Sequence, residues 1–445
     1  MSGIAAAHIS PTHRVSAVIL LASALMVLSL LRHAFLYASV SLFLLIACCR
    51  GIASLEASAL ARAHVHIEAI GRTEGDEVLV SVVIENTTLV PIPIAEIAVD
   101  HSPHLRLVKG SKLVLACVPP RSRIAIYLSF EPRIGKHWIG PLRASVRDPL
   151  GMFRSSEFSV GSRVYVRIAP KVSEATIRRL LVRTRSSGFV RGREPGTGVE
   201  FYSVREYRPG DDLRRVDWKH FAATSRLVVK EMERESYQSV LFLVDATPRM
   251  LYGPRKNTPL EHTLRIVASL SMYLARRGDL QSVIVFQRKG LASSSLSRGR
   301  RAFNEVMHVL SSIELDTEPL DDSDRASLLM RAVRKAISML PRERNAVFIF
   351  TSSGSREYLD ALCNAITKLS SMGNIVYVVL PLVTLYQATD LPKWAKLAFT
   401  VKTYELVKLE EEFASSLRQR GAKVIIAMPQ FIPATIASII ERIAS

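Results

Sequence analysis

The hydrophobic pattern divides the chain into an apolar start, a strand-rich middle and a region where strands and helices alternate. Two uncharged runs, residues 15–31 and 34–49, are separated only by Arg32 and His33. A helix needs about 20 apolar residues to span a bilayer, with about 17 as a lower limit. We therefore predict a membrane anchor over residues 1–50, made of two transmembrane helices joined by a tight turn. A secretory signal peptide and a buried helical hairpin are the alternatives.

Positive charges beside these two runs predict the orientation of the anchor. A hairpin places both of its ends on one side of the membrane, where Arg14, Arg50 and Arg62 outnumber the single Arg32. Since positively charged flanks remain on the cytoplasmic side, we expect a multi-pass protein of the cell membrane with cytoplasmic soluble domains. Residues 15–49 would then contact the membrane lipids.

Residues 60–172 contain short alternating or β-branched runs separated by Gly and Pro turn signals. The runs are HVHIEAI, EVLVSVVIEN, IPIAEIAVD, KLVLACV and RIAIYLSFE. Several short strands at such spacing are typical of two packed antiparallel sheets. We predict an all-β, sandwich-like domain here, and its sequence contains no catalytic constellation.

From residue 238 to residue 445, apolar strands alternate with amphipathic helices. The strands are SVLFLVD, SVIVFQ, NAVFIFT, NIVYVVLP and KVIIAMP. This order predicts an α/β domain with a mostly parallel sheet that is covered by helices on both faces, so that the whole chain is multidomain. Ligands of such sheets bind beyond the carboxyl ends of the strands, which marks Asp245 and Thr351 as candidate site residues.

The distribution of charge adds a separate segment, residues 173–237, between these two domains. The chain carries a net charge of +19, and residues 163–193 alone hold nine Lys or Arg against one Glu. We interpret residues 173–237 as a basic linker followed by a dense polar segment. Four cysteines without a CxxC pair exclude a disulfide-rich scaffold and argue against a cysteine zinc site.

The dense polar segment, residues 194–235, carries four short motifs. They are G-x-E-F, R-E-Y-x-P-G-D-D, R-x-x-D-W-K and V-K-E. These motifs resemble the signature of the domain-of-unknown-function family numbered 58, and the order of the segments along the chain is similar as well. The signature residues that we select as interaction candidates are Glu200, Arg205, Glu206, Pro209, Gly210, Asp211, Asp212, Asp217, Trp218 and Lys219.

The resemblance implies a membrane-anchored protein with a von Willebrand factor A-like α/β domain and no established biochemical activity. Members of the family are often encoded beside MoxR-type AAA+ ATPases. The resemblance therefore implies such an ATPase as a partner.

Local chemistry predicts the shape of the signature. Pro209 and Gly210 suit the centre of a tight turn, after which Asp211 or Asp212 caps a helix that runs toward Phe221. The closely spaced opposite charges have three interpretations: an ion-pair network that fastens the segment to the α/β domain, a partner-binding surface, or a catalytic carboxylate pair. Neighbouring arginines favour ionised carboxylates, which are poor general acids.

The residues after the first α/β strand resemble the metal-ion-dependent adhesion site of von Willebrand A-type domains, D-x-S-x-S. Asp245 and Thr247 match its chemistry, but Arg249 replaces the second hydroxyl and Thr351 is not followed by the expected Asp. Carboxylate and hydroxyl oxygens suit Mg²⁺, whereas a guanidinium has no lone pair to offer. We therefore expect no cofactor and expect Arg249 to pair with Asp245, with Mg²⁺ at Asp245 and Thr247 as the alternative.

These patterns predict a membrane-anchored scaffold or adaptor that is not an enzyme and that works with a MoxR-type AAA+ ATPase in protein assembly or maturation. A hydrolase using the signature carboxylates is one alternative. A module that binds nucleic acid or anionic lipid is another, because the chain is strongly basic. Nucleic acid is not the expected partner, since no recognised binding motif occurs and aromatic residues make up only 7% of the chain.

Overall fold

The computed structural model describes residues 8–173, 178, 195–233, 239–341, 345–382 and 393–444. Of residues 195–202, 232–233, 393–400 and 444, it describes the backbone alone. The chain divides into two compact units after Ile168. Most of the predicted basic linker, residues 174–177 and 179–194, lies outside the described residues.

The first unit begins with a short strand and two helices. Strand β1 spans Ile9–Pro11, helix α1 spans His13–Leu28 and helix α2 spans Ala34–Ala61. The hydroxyl of Ser39 on α2 donates a hydrogen bond of 2.8 Å to the carbonyl of Ala22 on α1. Of the described residues, those of α2 form the one helix that is long and apolar enough to cross a membrane, and α1 is shorter.

Helix α2 continues beyond the predicted end of the anchor at residue 50 and enters the β-domain without a break. Cys49 and Ala53 pack with Met152 and Phe153, while Leu60 lies in the core formed by the two sheets. The last three turns of α2 therefore belong to the soluble fold rather than to a linker.

Two antiparallel sheets follow, and both contribute to one apolar core. The strands are β2 (His64–Ile70), β3 (Val78–Glu85), β4 (Ile92–His101), β5 (Arg106–Lys109), β6 (Leu113–Val118), β7 (Arg123–Glu131), β8 (Gly135–Val146), β9 (Phe153–Ser155), β10 (Phe158–Val160) and β11 (Val164–Ile168). One sheet has the order β2-β3-β7-β5, and the other has the order β10-β8-β4-β6 with β11 also paired to β8. β1 pairs with β9. The basic stretch that begins at Arg163 overlaps strand β11.

The second unit starts with a hairpin that carries the signature. Strand β12 spans Pro195–Glu206 and pairs in antiparallel fashion with β13, Val228–Glu233. The residues between the two strands, 207–227, form what we call the signature lobe. The lobe contains a 3₁₀ turn at Leu213–Arg215 and the short helix α3, Trp218–Thr224.

The rest of the second unit is an α/β domain. Its strands are β14 (Ser239–Asp245), β15 (Leu280–Gln287), β16 (Gly290–Ser293), β17 (Ser297–Arg298), β18 (Ala346–Phe350), β19 (Ile375–Pro381) and β20 (Lys423–Ala427). Its helices are α4 (Pro259–Arg277), α5 (Gly299–Ser311), α6 (Asp322–Met339), α7 (Arg356–Ser370), α8 (Lys393–Gln419) and α9 (Ile432–Ala444). Helix α8 begins 11 residues before the helix start at about Tyr404 that the sequence pattern suggests.

The sheet order is β16-β15-β14-β18-β19-β20, with β17 also paired to β15. Strands β14, β15, β18, β19 and β20 run parallel, whereas β16 and β17 are antiparallel to β15. Leu241 and Leu243 pack with residues of α6, α7 and α8, and the intervening Phe242 is also fully buried. The predicted α/β architecture with a mostly parallel sheet is therefore confirmed. The strand order reverses between β14 and β18, which is where such sheets bind ligands.

Candidate functional site

Asp245 and Thr351 lie side by side at this reversal point. The parallel register pairs Val244 with Phe350, so the next residue of each strand emerges at the same edge of the sheet. The Thr351 hydroxyl donates a hydrogen bond of 2.8 Å to Oδ2 of Asp245. The backbone N–H and hydroxyl of Thr247 donate to the other oxygen, Oδ1, at 3.0 and 2.7 Å. The expected meeting of Asp245 and Thr351 is confirmed, and both side chains are fully buried.

A buried arginine from helix α6 provides the positive charge beside Asp245. Arg325 is 1% exposed, and its Nε and Nη2 donate to Asp245 Oδ2 at 2.8 and 2.6 Å. Nη2 also reaches the Thr351 hydroxyl at 2.9 Å and the Ser352 carbonyl at 3.1 Å, and Nη1 donates to the Ser353 carbonyl at 3.1 Å. Burial disfavours the charge, but the nearby Asp245 outweighs it and holds the pKa of Arg325 above its usual value.

An aromatic ring closes the opposite side of the guanidinium. The Arg325 guanidinium carbon lies 3.9 Å from the ring centre of Tyr358, which is a cation–π contact. The Tyr358 hydroxyl lies 2.7 Å from the Thr351 hydroxyl. Burial raises the pKa of Tyr358, so the hydroxyl stays protonated and can donate. A β-carbon on Gly354 would stand 2.7 Å from this ring, so the loop after β18 requires glycine there.

The sequence-based expectation that Arg249 pairs with Asp245 is wrong. Arg249 is exposed and its closest ion pair is with Asp322, at 3.9 Å. Asp322 accepts a hydrogen bond of 2.6 Å from the backbone N–H of Ser355. Burial opposes ionisation of this carboxyl, but the hydrogen bonds from Ser355 prevail and lower the pKa of Asp322. Arg249 therefore belongs to the rim of the site, and Arg325 forms its centre.

Helix α8 adds one further carboxylate to the rim. Glu410 accepts hydrogen bonds from the backbone N–H of Ser353 at 3.2 Å and from its hydroxyl at 2.8 Å. Burial raises the pKa of Glu410, while the Ser353 hydrogen bonds act in the opposite direction. Residues 351–353 are thus held by hydrogen bonds to both Arg325 and Glu410.

The candidate metal ligands Asp245 and Thr247 do not fit a divalent cation in this arrangement. Both oxygens of Asp245 already accept hydrogen bonds, and the guanidinium of Arg325 lies against the carboxylate where a cation would need a lone pair. In the described part of the chain, no three His, Cys, Asp or Glu side chains converge as metal ligands. The arrangement instead fixes two loops of the domain through a permanently charged side chain. We call Asp245, Arg325, Thr351 and Tyr358 the Asp245 cluster.

The signature forms its own cluster on the β12–β13 hairpin. The Asp211 N–H donates to the Arg208 carbonyl at 3.0 Å, and Gly210 adopts a φ of 106°, so the predicted tight turn around Pro209 and Gly210 is confirmed. Asp211 does not cap a helix. Its two oxygens accept a two-pronged contact from Arg205, at 2.7 and 2.6 Å.

Arg205 links the turn to the opposite strand. Its Nε donates to Glu231 on β13 at 2.8 Å, so one guanidinium joins two carboxylates. The Arg205 hydrogen bond, assisted by the N–H of Arg208, lowers the pKa of Asp211 to about 2. A second ion pair joins Lys230 and Asp217 at 3.2 Å. The ion-pair network predicted from the sequence therefore exists, but these pairs close the hairpin on itself rather than fastening it to the α/β domain.

The single predicted helix after the turn is replaced by two short pieces. Asp212 caps the 3₁₀ turn by accepting from Arg214 N–H, and Asp217 caps α3 by accepting from His220 N–H. Between them, Val216 forms a bridge with Val229 of β13. The His220 N–H and Lys230 lower the pKa of Asp217. The pairing of Val216 with the strand explains why one continuous helix does not form.

Three other signature candidates have side chains that are exposed to solvent rather than buried. Trp218 is 57% exposed and meets Phe221 edge to face, with 6.3 Å between ring centres. Glu206 and Lys219 are exposed. Glu200 lies on β12, where its side chain is outside the described residues. Sequence reasoning missed Phe221 as a partner of Trp218, although their spacing of three residues on a helix is the signal that pairs them.

Comparisons with known proteins found one matching family. Residues 203–368 match the profile of a family described as "Protein of unknown function DUF58", which confirms the resemblance over the signature and the first part of the α/β domain. None of the curated proteins compared with the chain matches it.

Many solved structures are similar to the chain, and three of them illustrate the extent of the similarity. The SpRpn10 VWA domain is 12% identical, with 45% of this chain and 94% of that chain covered and a TM-score of 0.28. The manganese-loaded TRAP protein of Plasmodium vivax is 10% identical, with 46% and 73% covered and a TM-score of 0.29. Proximal thread matrix protein 1 of the mussel byssus is 10% identical, with 47% and 48% covered and a TM-score of 0.27.

Proposed function

We propose that this chain, whose residues 203–368 carry the match to family DUF58, is a membrane-anchored protein-interaction scaffold or adaptor. The observation that carries the proposal is the exposure of aromatic and aliphatic side chains on the signature lobe. Helix α3 buries none of its residues, and both Trp218 and Phe221 are exposed. Aromatic side chains of this kind dominate the binding energy of protein interfaces once a partner covers them.

The ion pairs of the β12–β13 hairpin, which we call its frame, support the same function. Arg205 joins Asp211 and Glu231, and Lys230 joins Asp217, so the loop between β12 and β13 is closed by charge-assisted contacts. A surface that is already ordered pays little entropy when a partner binds. The charges of the signature thus act as a support for Trp218 and Phe221.

The same ion pairs argue against a hydrolase that uses the signature carboxylates. Asp211 and Asp217 are engaged in ion pairs, and their pKa values lie below the usual range. A general acid must hold a proton near neutral pH, which these carboxyls do not. We propose that the signature binds a partner and carries out no chemistry of its own.

The finer features of the proposal concern location and partner. Helices α1 and α2 form a two-span anchor that keeps both soluble units in the cytoplasm, with lipids around residues 15–49. The α/β domain is of the von Willebrand A type, with the Asp245 cluster in place of a metal-dependent adhesion site. The partner is a MoxR-type AAA+ ATPase that acts with this protein in the assembly or maturation of other proteins, as the family resemblance implies.

The test is co-purification of the full-length protein, solubilised from native membranes, with a purified MoxR-type ATPase of the same cell. The Trp218→Ala/Phe221→Ala variant should retain less than a tenth of the ATPase bound by the wild type. Phe431→Ala is the matched control, because Phe431 is also 57% exposed but lies outside the signature. Equal recovery of the ATPase by wild type and by the double variant would exclude the lobe as the docking surface.

A further inference from the structure

Five basic side chains of the signature lobe make no ion pair with any residue that the structure describes. They are Arg208, Arg214, Arg215, Lys219 and Arg226. The two cations of the adjoining strands, Arg205 and Lys230, are by contrast engaged with carboxylates. The hairpin therefore separates its charges into a paired frame and an unpaired surface.

The carboxylates on the lobe do not balance these cations. Asp211 and Asp217 form ion pairs with Arg205 and Lys230 of the frame. The other two carboxylates are those of Glu206, at the end of β12, and Asp212, the cap of the 3₁₀ turn. With the frame included, residues 205–231 carry seven Lys or Arg against five Asp or Glu, a net charge of +2. Such an excess attracts negative charge over about 8 Å at physiological salt.

Exposed apolar side chains occur on the same lobe as these cations. Leu213, Trp218, Phe221 and Leu227 are all at least 37% exposed. Nucleic acid is bound by cations and aromatic rings, whereas aliphatic side chains such as Leu213 and Leu227 gain most from apolar side chains of a protein. The combination favours a protein partner.

We propose that the signature lobe docks an acidic protein segment that also presents apolar side chains. The proposal rests on the interaction function above and names the chemistry of the partner. Cations and exposed aromatic side chains on the same lobe give the surface charge complementarity and a hydrophobic anchor. Residues 174–194 contain six Arg and two Glu, so their charge does not complement that of the lobe.

The experiment measures binding of defined probes to the full-length protein in detergent, by fluorescence anisotropy. The first probe is a 20-residue peptide of glutamate with leucine at every fourth position, and the second replaces each glutamate with lysine. A 20-nucleotide single-stranded DNA and vesicles of phosphatidylcholine with or without phosphatidylglycerol are the competing probes. The variants are Arg214→Glu/Lys219→Glu, Trp218→Ala/Phe221→Ala and a control of equal charge change on α6, Arg331→Glu/Lys335→Glu.

We expect the glutamate–leucine peptide to bind at least tenfold more tightly than the lysine version. Each lobe variant should weaken this binding about tenfold, because each removes one of its two components. The α6 control should leave it unchanged. Raising the salt concentration from 50 to 300 mM should also weaken binding of the peptide to the wild type. This measurement tests the electrostatic contribution to binding without any variant.

Three kinds of result would overturn the inference. If the peptide binds the wild type and the Arg214→Glu/Lys219→Glu variant equally, charge does not select the partner. If DNA or phosphatidylglycerol vesicles bind more tightly than the peptide and lose that binding in the lobe variants, the surface belongs to another class of ligand. Loss of the ATPase from Trp218→Ala/Phe221→Ala but not from the charge variant would retain the interaction function and reject the acidic partner.

Discussion

Replacing Arg325 with methionine tests whether the Asp245 cluster holds the α/β domain together. Methionine approximates the length of the arginine stem but removes every donor that reaches Asp245, Thr351 and the two serine carbonyls. Asp245 is then a fully buried carboxylate without its counter-ion. Breaking one side of a buried ion pair destabilises a protein by about 3–5 kcal/mol, because the remaining charge is left in the interior.

The structure places the expected loss at the lower end of that range. Thr247 and Thr351 continue to donate hydrogen bonds to Asp245 after the substitution, so the carboxylate is not fully stripped of partners. We expect the free energy of opening to fall by about 3 kcal/mol. The double variant Asp245→Asn/Arg325→Met removes both charges. Its loss of opening free energy should therefore be smaller, by at least about 2 kcal/mol, than the sum of the losses of the two single variants.

Hydrogen exchange of the backbone amides of β14 and β18 is a suitable assay. It reports the local free energy of opening in a chain of two units, where a single global transition is not assured. Arg331→Met on the same helix is the control, because Arg331 is exposed and should change stability by less than about 0.5 kcal/mol. If Arg325→Met is no less stable than Arg331→Met, the cluster is not a stabilising centre.

Two further predictions concern the loop after β18 and the signature turn. Gly354→Ala should destabilise the domain by about 1–3 kcal/mol, because the new methyl group must displace the ring of Tyr358, and unchanged exchange of the β18 amides would contradict this. The pair between Arg205 and Asp211 should survive at pH 4 and weaken only as the pH falls through about 2. Because the pKa of Asp211 is depressed, the pair stabilises the folded state above the ordinary pKa of 3.8, and this stabilisation is lost below about pH 2. An NMR titration of the Asp211 carboxyl with a midpoint near 4 would refute the ion pair.

The place of the Asp245 cluster followed from the sequence, but its central residue did not. A continuous apolar strand that ends in Asp, and another followed by Thr, predict two side chains at one sheet edge. Arg325 is 80 residues from Asp245, so local spacing does not pair the two side chains. One signal was present: Arg325, Leu329, Ala332 and Ala336 share a helical face that is otherwise apolar, and a cation on such a face needs a buried partner.

The signature shows a similar division between local and long-range information. The Pro-Gly turn depends on its own backbone preferences and was predictable from Pro209 and Gly210 alone. The break between the 3₁₀ turn and α3 depends on Val216 pairing with Val229, a contact across the hairpin that spacing does not reveal. In the same way, Arg205 was expected to contact charges nearby, whereas its partner Glu231 lies on the returning strand.

The unbroken course of helix α2 determines how its two ends are related. Its 28 residues extend over about 42 Å, from the turn after α1 to the core between the sheets. Each residue of an α-helix adds about 1.5 Å of height and about 100° of rotation. The number of residues between Cys49 and Leu60 therefore sets both the distance of the two sheets from the apolar half of α2 and the direction in which they face. Because the helix is continuous, a rotation or a shift of its apolar half is transmitted to the sheets.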